Sequence, residues 1–475
     1  MLASVERLPP ELLLQVFLFL LADASIAASW TRMAHRYGRR QRKDPRMVLT
    51  HVCHRWRSLC LNSPRLWCEV DAASEDWTRE ALARSRTLPL DVFVVEERRR
   101  PMRDSTRLVL EQLPRIRTLT FSHSNFTKGY DAQLPAAPLL DSLVLFSTIG
   151  ALPRIGLALP RLTRLELRGC YGIAWDETHP IFAPSLLHLD VRNNAQDTEP
   201  RLPQLLRVLR RMPQLATLRL DNVLPLGRLS LTPARPDERA AFPALRSLTL
   251  GAPAKDAATF LYHVSLPPGA SLSFALAEWA APEIAGHFAT ALQQWLDGAP
   301  GATTSGAPPP LQVVHCTESR WRAWPSPDAA PDTAPKALAA QTRSGMPALD
   351  IAYADAIERV VYDTTHMPRA LCALLAGRHA VTRLTLASAY AKPTSATWRE
   401  LLADHPRVAT LGAVGRAFHG LLPTLRVPAD GELLAPALRT LILKGIDVCE
   451  DRIQLHVDAL DAMLRERRQA GCAIE

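Results

Sequence analysis

One short phrase recurs along this chain and limits the folds open to it. It runs Pro, an apolar residue, then Leu-x-Leu. The first copies are Pro114-Arg115-Ile116-Arg117-Thr118-Leu119-Thr120-Phe121, Pro138-Leu139-Leu140-Asp141-Ser142-Leu143-Val144-Leu145 and Pro160-Arg161-Leu162-Thr163-Arg164-Leu165-Glu166-Leu167. It returns at 184–191, 213–220 and 243–250, and again at 380–386, 406–411 and 436–443. The anchors Leu119, Leu143, Leu165, Leu189, Leu218 and Leu248 follow at intervals of 24, 22, 24, 29 and 30 residues, and Leu384, Leu411 and Leu441 at 27 and 30. Leucines two apart put alternate side chains on one face of a strand, so each copy predicts a short strand with its leucines turned inward.

A repeat of ~20–29 residues centred on L-x-x-L-x-L is the pattern of leucine-rich repeats, and Leu162, Leu165 and Leu167 hold all three positions. The competing picture, unrelated strands of an ordinary α/β domain, fits six regularly spaced copies less well. The asparagine that usually follows the strand is mostly missing, with Asn193 and Asn222 the nearest equivalents, so an uneven, open arc is expected. Residues 201–212 predict a return helix. Between 252 and 380 the pattern loosens: strands are expected at 272–274, 311–314 and 357–362, and a helix at 278–296 with Ile284, Phe288, Ala291, Leu292 and Trp295 on one side. Pro/Ala/Gly-rich stretches at 298–310 and 325–335 make 298–347 read as insertions on the array. A closing helix over 451–469, with Ile453, Val457, Leu460 and Leu464 along one face, suits a terminal cap.

The first 70 residues differ in character. Leu8-Pro9-Pro10-Glu11 opens a helix, with Pro tolerated in the first turn and Glu11 facing the positive end of the helix dipole. The run that follows, residues 12–21, is apolar on nearly every face. Such a helix must be covered all round, and a small N-terminal module has too little chain to do it, so a partner surface is inferred. Glu6, Glu11 and the Pro pair argue against a signal peptide, and ten apolar residues fall short of the ~20 a membrane span takes. A second helix is expected from 47 to 61, with Val48, Val52, Trp56 and Leu59 at helical spacing, stopped by Asn62-Ser63-Pro64. Between the two lies a basic run, Arg32, Arg36, Arg39, Arg40, Arg42 and Lys43, that reads as a solvated face.

Leu8-Pro9-Pro10-Glu11-Leu12-Leu13 with Val16-Phe17 and Leu20 resembles the first half of an F-box. Val52-Cys53-His54-Arg55-Trp56-Arg57-Ser58-Leu59 followed by Pro64-Arg65-Leu66-Trp67 resembles the second half, most of all as found in mushroom-forming fungi. The resemblance covers about 65 residues and is interrupted by a longer insert at 22–47. It implies docking onto a Skp-type adaptor and, through it, a cullin–RING ubiquitin ligase. By the same resemblance Leu8, Pro9, Leu12, Leu13, Val16 and Phe17 form the adaptor contact, and Val52, Trp56, Leu66 and Trp67 complete the module or border the contact. A distal domain would then hold a client protein for ubiquitin transfer by other subunits.

The expected fold class is α/β, an N-terminal helical F-box-like module (1–70) followed by an irregular leucine-rich-repeat-like α/β solenoid (71–475). Thr118, Thr120, Ser122; Arg164, Glu166, Arg168; His188, Asp190, Arg192; and Thr217, Arg219, Asp221 alternate with the leucines and face outward. Such a mixed polar ladder suits protein recognition, and Arg164, Glu166, Arg168, His188, Asp190, Arg192, Arg219 and Asp221 are the client-binding candidates.

The net charge of +9 comes with no RNA-binding or zinc-finger signature, so no nucleic-acid partner is expected, and no membrane partner either. The eight cysteines form no C-x-x-C pair and read as buried thiols of an intracellular protein, cytoplasmic or nuclear. His51, Cys53 and His54 match no zinc spacing. Phosphate-loop, zincin and nucleophile-elbow motifs are all missing. No catalytic residue, metal or cofactor is therefore expected. Two alternatives stand beside the receptor: a protein-interaction scaffold outside any ligase, and an enzyme whose His and nucleophile converge within 252–380.

Overall fold

The computed structural model describes residues 8–23, 44–95, 103–122, 135–146, 159–170, 175–192, 202–224, 231, 234–235, 238–277, 282–297, 310–317, 320–326, 347–352, 366–376, 381–388, 393–428, 433–445 and 453–474. The chain is mixed α/β and divides into two compact units, Met1–Pro200 and Arg201–Glu475. Residue 70, where the sequence reading ends its first domain, falls inside the first unit. The basic run at 32–43 and the strand expected at 357–362 lie outside the described residues.

The first unit opens with α1 (Pro10–Asp23), α2 (Pro45–Thr50), α3 (His54–Asn62) and a 3-10 turn at Pro64–Trp67. The helix expected as one piece from 47 to 61 is two. Asp44 caps the first at Arg46 N, and Cys53 caps the second through its Sγ at Trp56 N, 3.5 Å away. Such cap acceptors satisfy N–H groups that a helix start leaves open, which makes the restart at Cys53 favourable. Strands β1 (Glu69–Asp71) and β2 (Leu90–Val95), with α4 (Glu75–Ser85) between them, follow the helices. Neither strand carries the Pro-initiated phrase, and neither was anticipated. After α5 (Asp104–Leu110) come β3 (Ile116–Ser122), β4 (Ser142–Phe146), β5 (Arg164–Arg168) and β6 (His188–Arg192). The six strands pair in parallel in sequence order.

The recurring leucines fall in register: Leu119, Leu143, Leu165 and Leu189 form one row, and Phe121, Leu145, Leu167 and Val191 the next. All eight are buried. The structure also explains the recurring Pro. In Ala137–Leu140, Leu159–Leu162 and Ala183–Leu186 the N–H of the fourth residue bonds the first carbonyl at 3.1–3.2 Å, with Pro138, Pro160 and Pro184 in second place. Pro presets the backbone for that position of a type I or II turn. The turn-closing Leu140, Leu162 and Leu186 are each 0 % exposed. The phrase is thus a turn that delivers a buried leucine and then a strand.

The second unit uses the same device. Its turns at Met212–Leu215, Phe242–Leu245, His405–Val408 and Ala435–Leu438 carry Pro213, Pro243, Pro406 and Pro436 in the same place. Its elements are α6 (Leu202–Arg210), β7 (Thr217–Asp221), β8 (Ala240–Ala241), β9 (Ser247–Pro253), α7 (Ala254–Tyr262), β10 (Val264–Ser265), β11 (Ser271–Ala277), α8 (Pro282–Leu296), β12 (Val313–Thr317), β13 (Arg320–Trp324), β14 (Leu349–Ala352), α9 (His366–Leu375), β15 (Arg383–Ser388), α10 (Ser395–Ala403), β16 (Thr410–Gly415), α11 (Leu421–Leu425), β17 (Thr440–Lys444) and α12 (Ile453–Gln469). The main sheet runs β7-β9-β11-β14-β13-β12-β15-β16-β17, and β8 pairs with β10 apart from it. All pairings in the main sheet are parallel except those of β13, which runs against both β12 and β14. Residues 313–324, expected within an insertion, therefore supply two strands of this sheet. The strand expected at 272–274 is present as β11, and the helix expected at 278–296 is present as Pro282–Leu296, with Phe288, Ala291, Leu292 and Trp295 buried.

The closing helix α12 packs on α11, but not by the expected stripe. Val457 is exposed, while Met463 and Arg467 are fully buried. The Arg467 guanidinium donates to the carbonyls of Leu425 (3.2 Å), Leu434 (3.2 Å) and Ala435 (2.8 Å), and its burial lowers its pKa. These charge-assisted bonds anchor this end of the helix, with Val457 left outward.

Candidate functional site

Two surfaces of the first unit carry the sequence-predicted residues. One is α1, which packs on α2, α3 and the Pro64–Trp67 turn. Leu13 and Phe17 form its buried face, and the Phe17 ring meets Trp56 edge-on with centroids 4.8 Å apart. Leu66 and Trp67 are buried beneath, and the Trp67 indole donates to Cys60 O at 2.9 Å. Leu8 and Trp56 are half-buried, and the Arg55 guanidinium donates to Leu8 O. Of the expected adaptor residues, then, Leu13, Phe17, Leu66 and Trp67 hold the helices together. Pro9, Leu12, Val16 and Val52 face solvent.

The solvent side of α1 is the unusual feature. Leu12 (53 % exposed), Val16 (44 %), Phe19 (76 %) and Leu20 (47 %) lie at helical spacing along one stripe. Met47, Val48 and Val52 are exposed on and just after α2. Of the nine exposed large apolar side chains among the described residues, seven lie in this stretch. Scattered singly they would mean little; gathered on one module they mark an interaction surface. Phe19, Leu20, Met47 and Val48, exposed on the same module, were not among the expected adaptor residues. Because the helix is apolar all round, its sequence gives no sign of which face turns outward.

The other surface is the sheet face opposite the leucine rows. Across it Ser142, Arg164 and His188 share a row, as do Val144, Glu166 and Asp190, and Phe146, Arg168 and Arg192. Arg168 pairs with Glu166 at 2.6 Å and lies 5.3 Å from the Phe146 ring centroid, and Arg192 pairs with Asp190. Arg164 is exposed, and burial together with the neighbouring Arg164 lowers the His188 pKa. Thr120, expected to face out, is buried, because Phe93 sits beside it in register on β2.

Arg219 and Asp221 belong to the second unit and form an ion pair of 3.4 Å. Asp221 lies over the neighbouring strand, where a Cβ on Gly251 would come within 2.2 Å of its Oδ1. On the second unit's own sheet Asp350 binds both Arg320 (Nε–Oδ1 2.6 Å) and Arg322 (3.3 Å). Arg322 faces His315 in register, and Thr385 follows on β15. His315 is 2 % exposed, lies edge-on to Trp324 and has no hydrogen-bond partner on either ring nitrogen among the described residues. Burial, with Arg383 and Arg322 close by, holds its pKa down to about 4. None of Asp350, Arg320, Arg322 or His315 was singled out from sequence, since the antiparallel β13 that assembles them breaks the repeat pattern.

That depressed pKa has a measurable consequence. A chain that binds no proton at His315 when folded, but binds one near pH 6.5 when unfolded, gains stability as pH rises from about 4 to 6.5. Lowering the pH from 7 to 4.5 should cost the second unit about 2 kcal/mol through this group. Denaturant midpoints of wild type and His315→Gln across that range test it: the His315→Gln slope should be flatter, and equal slopes would exclude His315 as the source.

Among the described residues no three His, Cys, Asp or Glu side chains converge as metal ligands, and Cys53 serves as a helix cap. No described helix is long and apolar enough to cross a membrane. No family model matches the chain, and no curated protein matches it.

Proposed function

We propose that this protein is a substrate receptor of a Skp–cullin–F-box ubiquitin ligase, with residues 8–67 as an F-box-like module and the strands beyond as an irregular leucine-rich-repeat-like array. The observation that carries this reading is the uncovered stripe Leu12, Val16, Phe19 and Leu20 on a helix whose neighbouring face, Leu13 and Phe17, is fully buried. A partner that covers the stripe removes apolar surface from water at roughly 25 cal/mol per Å² before the costs of association. The F-box resemblance at these positions makes a Skp-type adaptor the occupant, and through it a cullin.

The polar sheet face is the client surface of this proposal. Its ion pairs are half-buried and internally balanced, so they read shape and hydrogen bonding more than net charge. Arg164, exposed on a strand whose one carboxylate, Glu166, is already paired with Arg168, is the residue we assign to first contact with an acidic client segment. The chain needs no catalytic group in this role, because the ligase partners supply the chemistry.

The direct test mixes purified full-length chain with a Skp-type adaptor and measures binding by calorimetry and gel filtration. A one-to-one complex of submicromolar Kd is expected. A well-folded chain that leaves the adaptor unbound overturns the receptor assignment and leaves the scaffold.

A further inference from the structure

One buried cluster in the second unit has no part in this function. Cys316 on β12 and Cys372 on α9 are fully buried, with their Sγ atoms 4.0 Å apart across 56 residues of chain. Trp321 on β13 and His405 after α10 border the pair. Trp321 Nε1 and His405 Nε2 are buried with no hydrogen-bond partner among the described residues. A thiolate at Cys372 offers both nitrogens an acceptor, and the Cys316 S–H is a third donor to it. We propose that Cys316 and Cys372 are a peroxide-oxidisable dithiol, which closes into a disulfide that ties strand β12 to helix α9.

The asymmetry of the pair sets the order of events. Donation from Cys316, and then the nearness of His405 and Trp321, lowers the Cys372 pKa against the opposing effect of burial. Burial, then Cys372 itself, raises that of Cys316. Cys372, with the buried Trp321 and His405 nitrogens beside it to hold a thiolate, is assigned as the attacking sulfur, since the thiolate is the nucleophile. Its Sγ takes the terminal oxygen of a hydroperoxide: an S–O bond forms, the O–O bond breaks, and the departing alkoxide or hydroxide takes a proton to leave as alcohol or water. Cys316 Sγ then attacks the sulfenic sulfur. The S–S bond forms, the S–O bond breaks, and hydroxide leaves as water with the Cys316 proton. In sum two thiols and one hydroperoxide give one disulfide, one alcohol or water, and one further water. The sulfurs must close from 4.0 Å to about 2.05 Å for the bond to form. Full burial confines the reaction to a small oxidant admitted by local opening, and reduction by a dithiol reverses it.

The test uses the folded full-length wild type, which holds eight cysteines and so carries its own controls. The protein is treated with equimolar hydrogen peroxide, alkylated, digested without reductant and analysed by mass spectrometry. The expected product is a Cys316–Cys372 linked peptide, 2 Da lighter than its two thiol parts, formed in at least tenfold excess over any link to the exposed Cys53. Amide exchange in β12 and α9 should slow at least tenfold on oxidation. With Cys316→Ala, dimedone should trap a sulfenic acid on Cys372. The proposal is overturned if Cys53 oxidises while Cys316 and Cys372 remain thiols. It is overturned equally if the link appears only in denaturant, or if amide exchange is unchanged when it forms. The result stands or falls apart from adaptor binding.

Discussion

Changing Val16 and Phe19 together to aspartate should abolish capture of a Skp-type adaptor while leaving the chain folded. Val16 is 44 % exposed and Phe19 76 %, so neither side chain carries much of the packing energy of its own module. Surface substitutions away from buried features shift stability by only about ±0.5 kcal/mol. At the centre of an interface, the loss of an apolar anchor costs about 2 kcal/mol or more, roughly 30-fold in Kd. Two such losses, with two carboxylates carried into an apolar contact, put the combined effect beyond about 1,000-fold. The matched control is Phe17→Ala on the buried face. Phe17 is fully buried against Trp56, and its truncation should cost about 3–5 kcal/mol of stability. Adaptor titrations beside thermal melts separate the two. A Val16→Asp/Phe19→Asp protein that binds within threefold of wild type would remove the stripe from the interface.

The second large effect is expected at Arg46, which holds the helical module to the first strands. Its side chain is almost fully buried and ion-paired with Asp44. It donates to Leu66 O (3.4 Å) and Glu69 O (3.0 Å), and its guanidinium lies 5.2 Å from the ring centroids of both Trp67 and Trp77. The Trp77 indole donates to Asp44 Oδ2 at 3.2 Å, which closes the network. Removing one partner of a buried pair leaves the other charge uncompensated, at a cost of about 3–5 kcal/mol. Arg46→Ala should show that loss in urea unfolding followed by tryptophan fluorescence, with faster amide exchange in α1 and α2. Arg46→Lys should recover only part of it, because an ammonium lacks the planar fork that reaches carboxylate, carbonyls and both rings together. A loss below about 1 kcal/mol for Arg46→Ala would mean that the aromatic rings and Asp44 repack without it.

The legible parts of this molecule were those written in short-range periodicity. Leu143, Leu165 and Leu189 could be placed on one buried face because alternation is a property of a few consecutive residues. Leu202–Arg210 and Pro282–Leu296 showed themselves as helices by their apolar faces. The break at residues 51–53 was not legible, since Val48, Val52 and Trp56 keep helical spacing straight through it. Strand β13 was hidden because Arg320-Trp321-Arg322-Ala323-Trp324 lacks the leucines of the other copies and runs the opposite way.

By itself, then, the sequence determined the inward alternation of the recurring leucines and an N-terminal helix too apolar to stand alone. The tertiary structure decided which side of that helix stays open, that Thr120 is covered by Phe93, and that Arg320, Arg322 and Asp350 meet. It alone brought Cys316 to Cys372. The division has a physical cause. Periodicity fixes how side chains alternate along one element, but which face is buried and which distant residues touch depend on the packing of elements far apart in the chain.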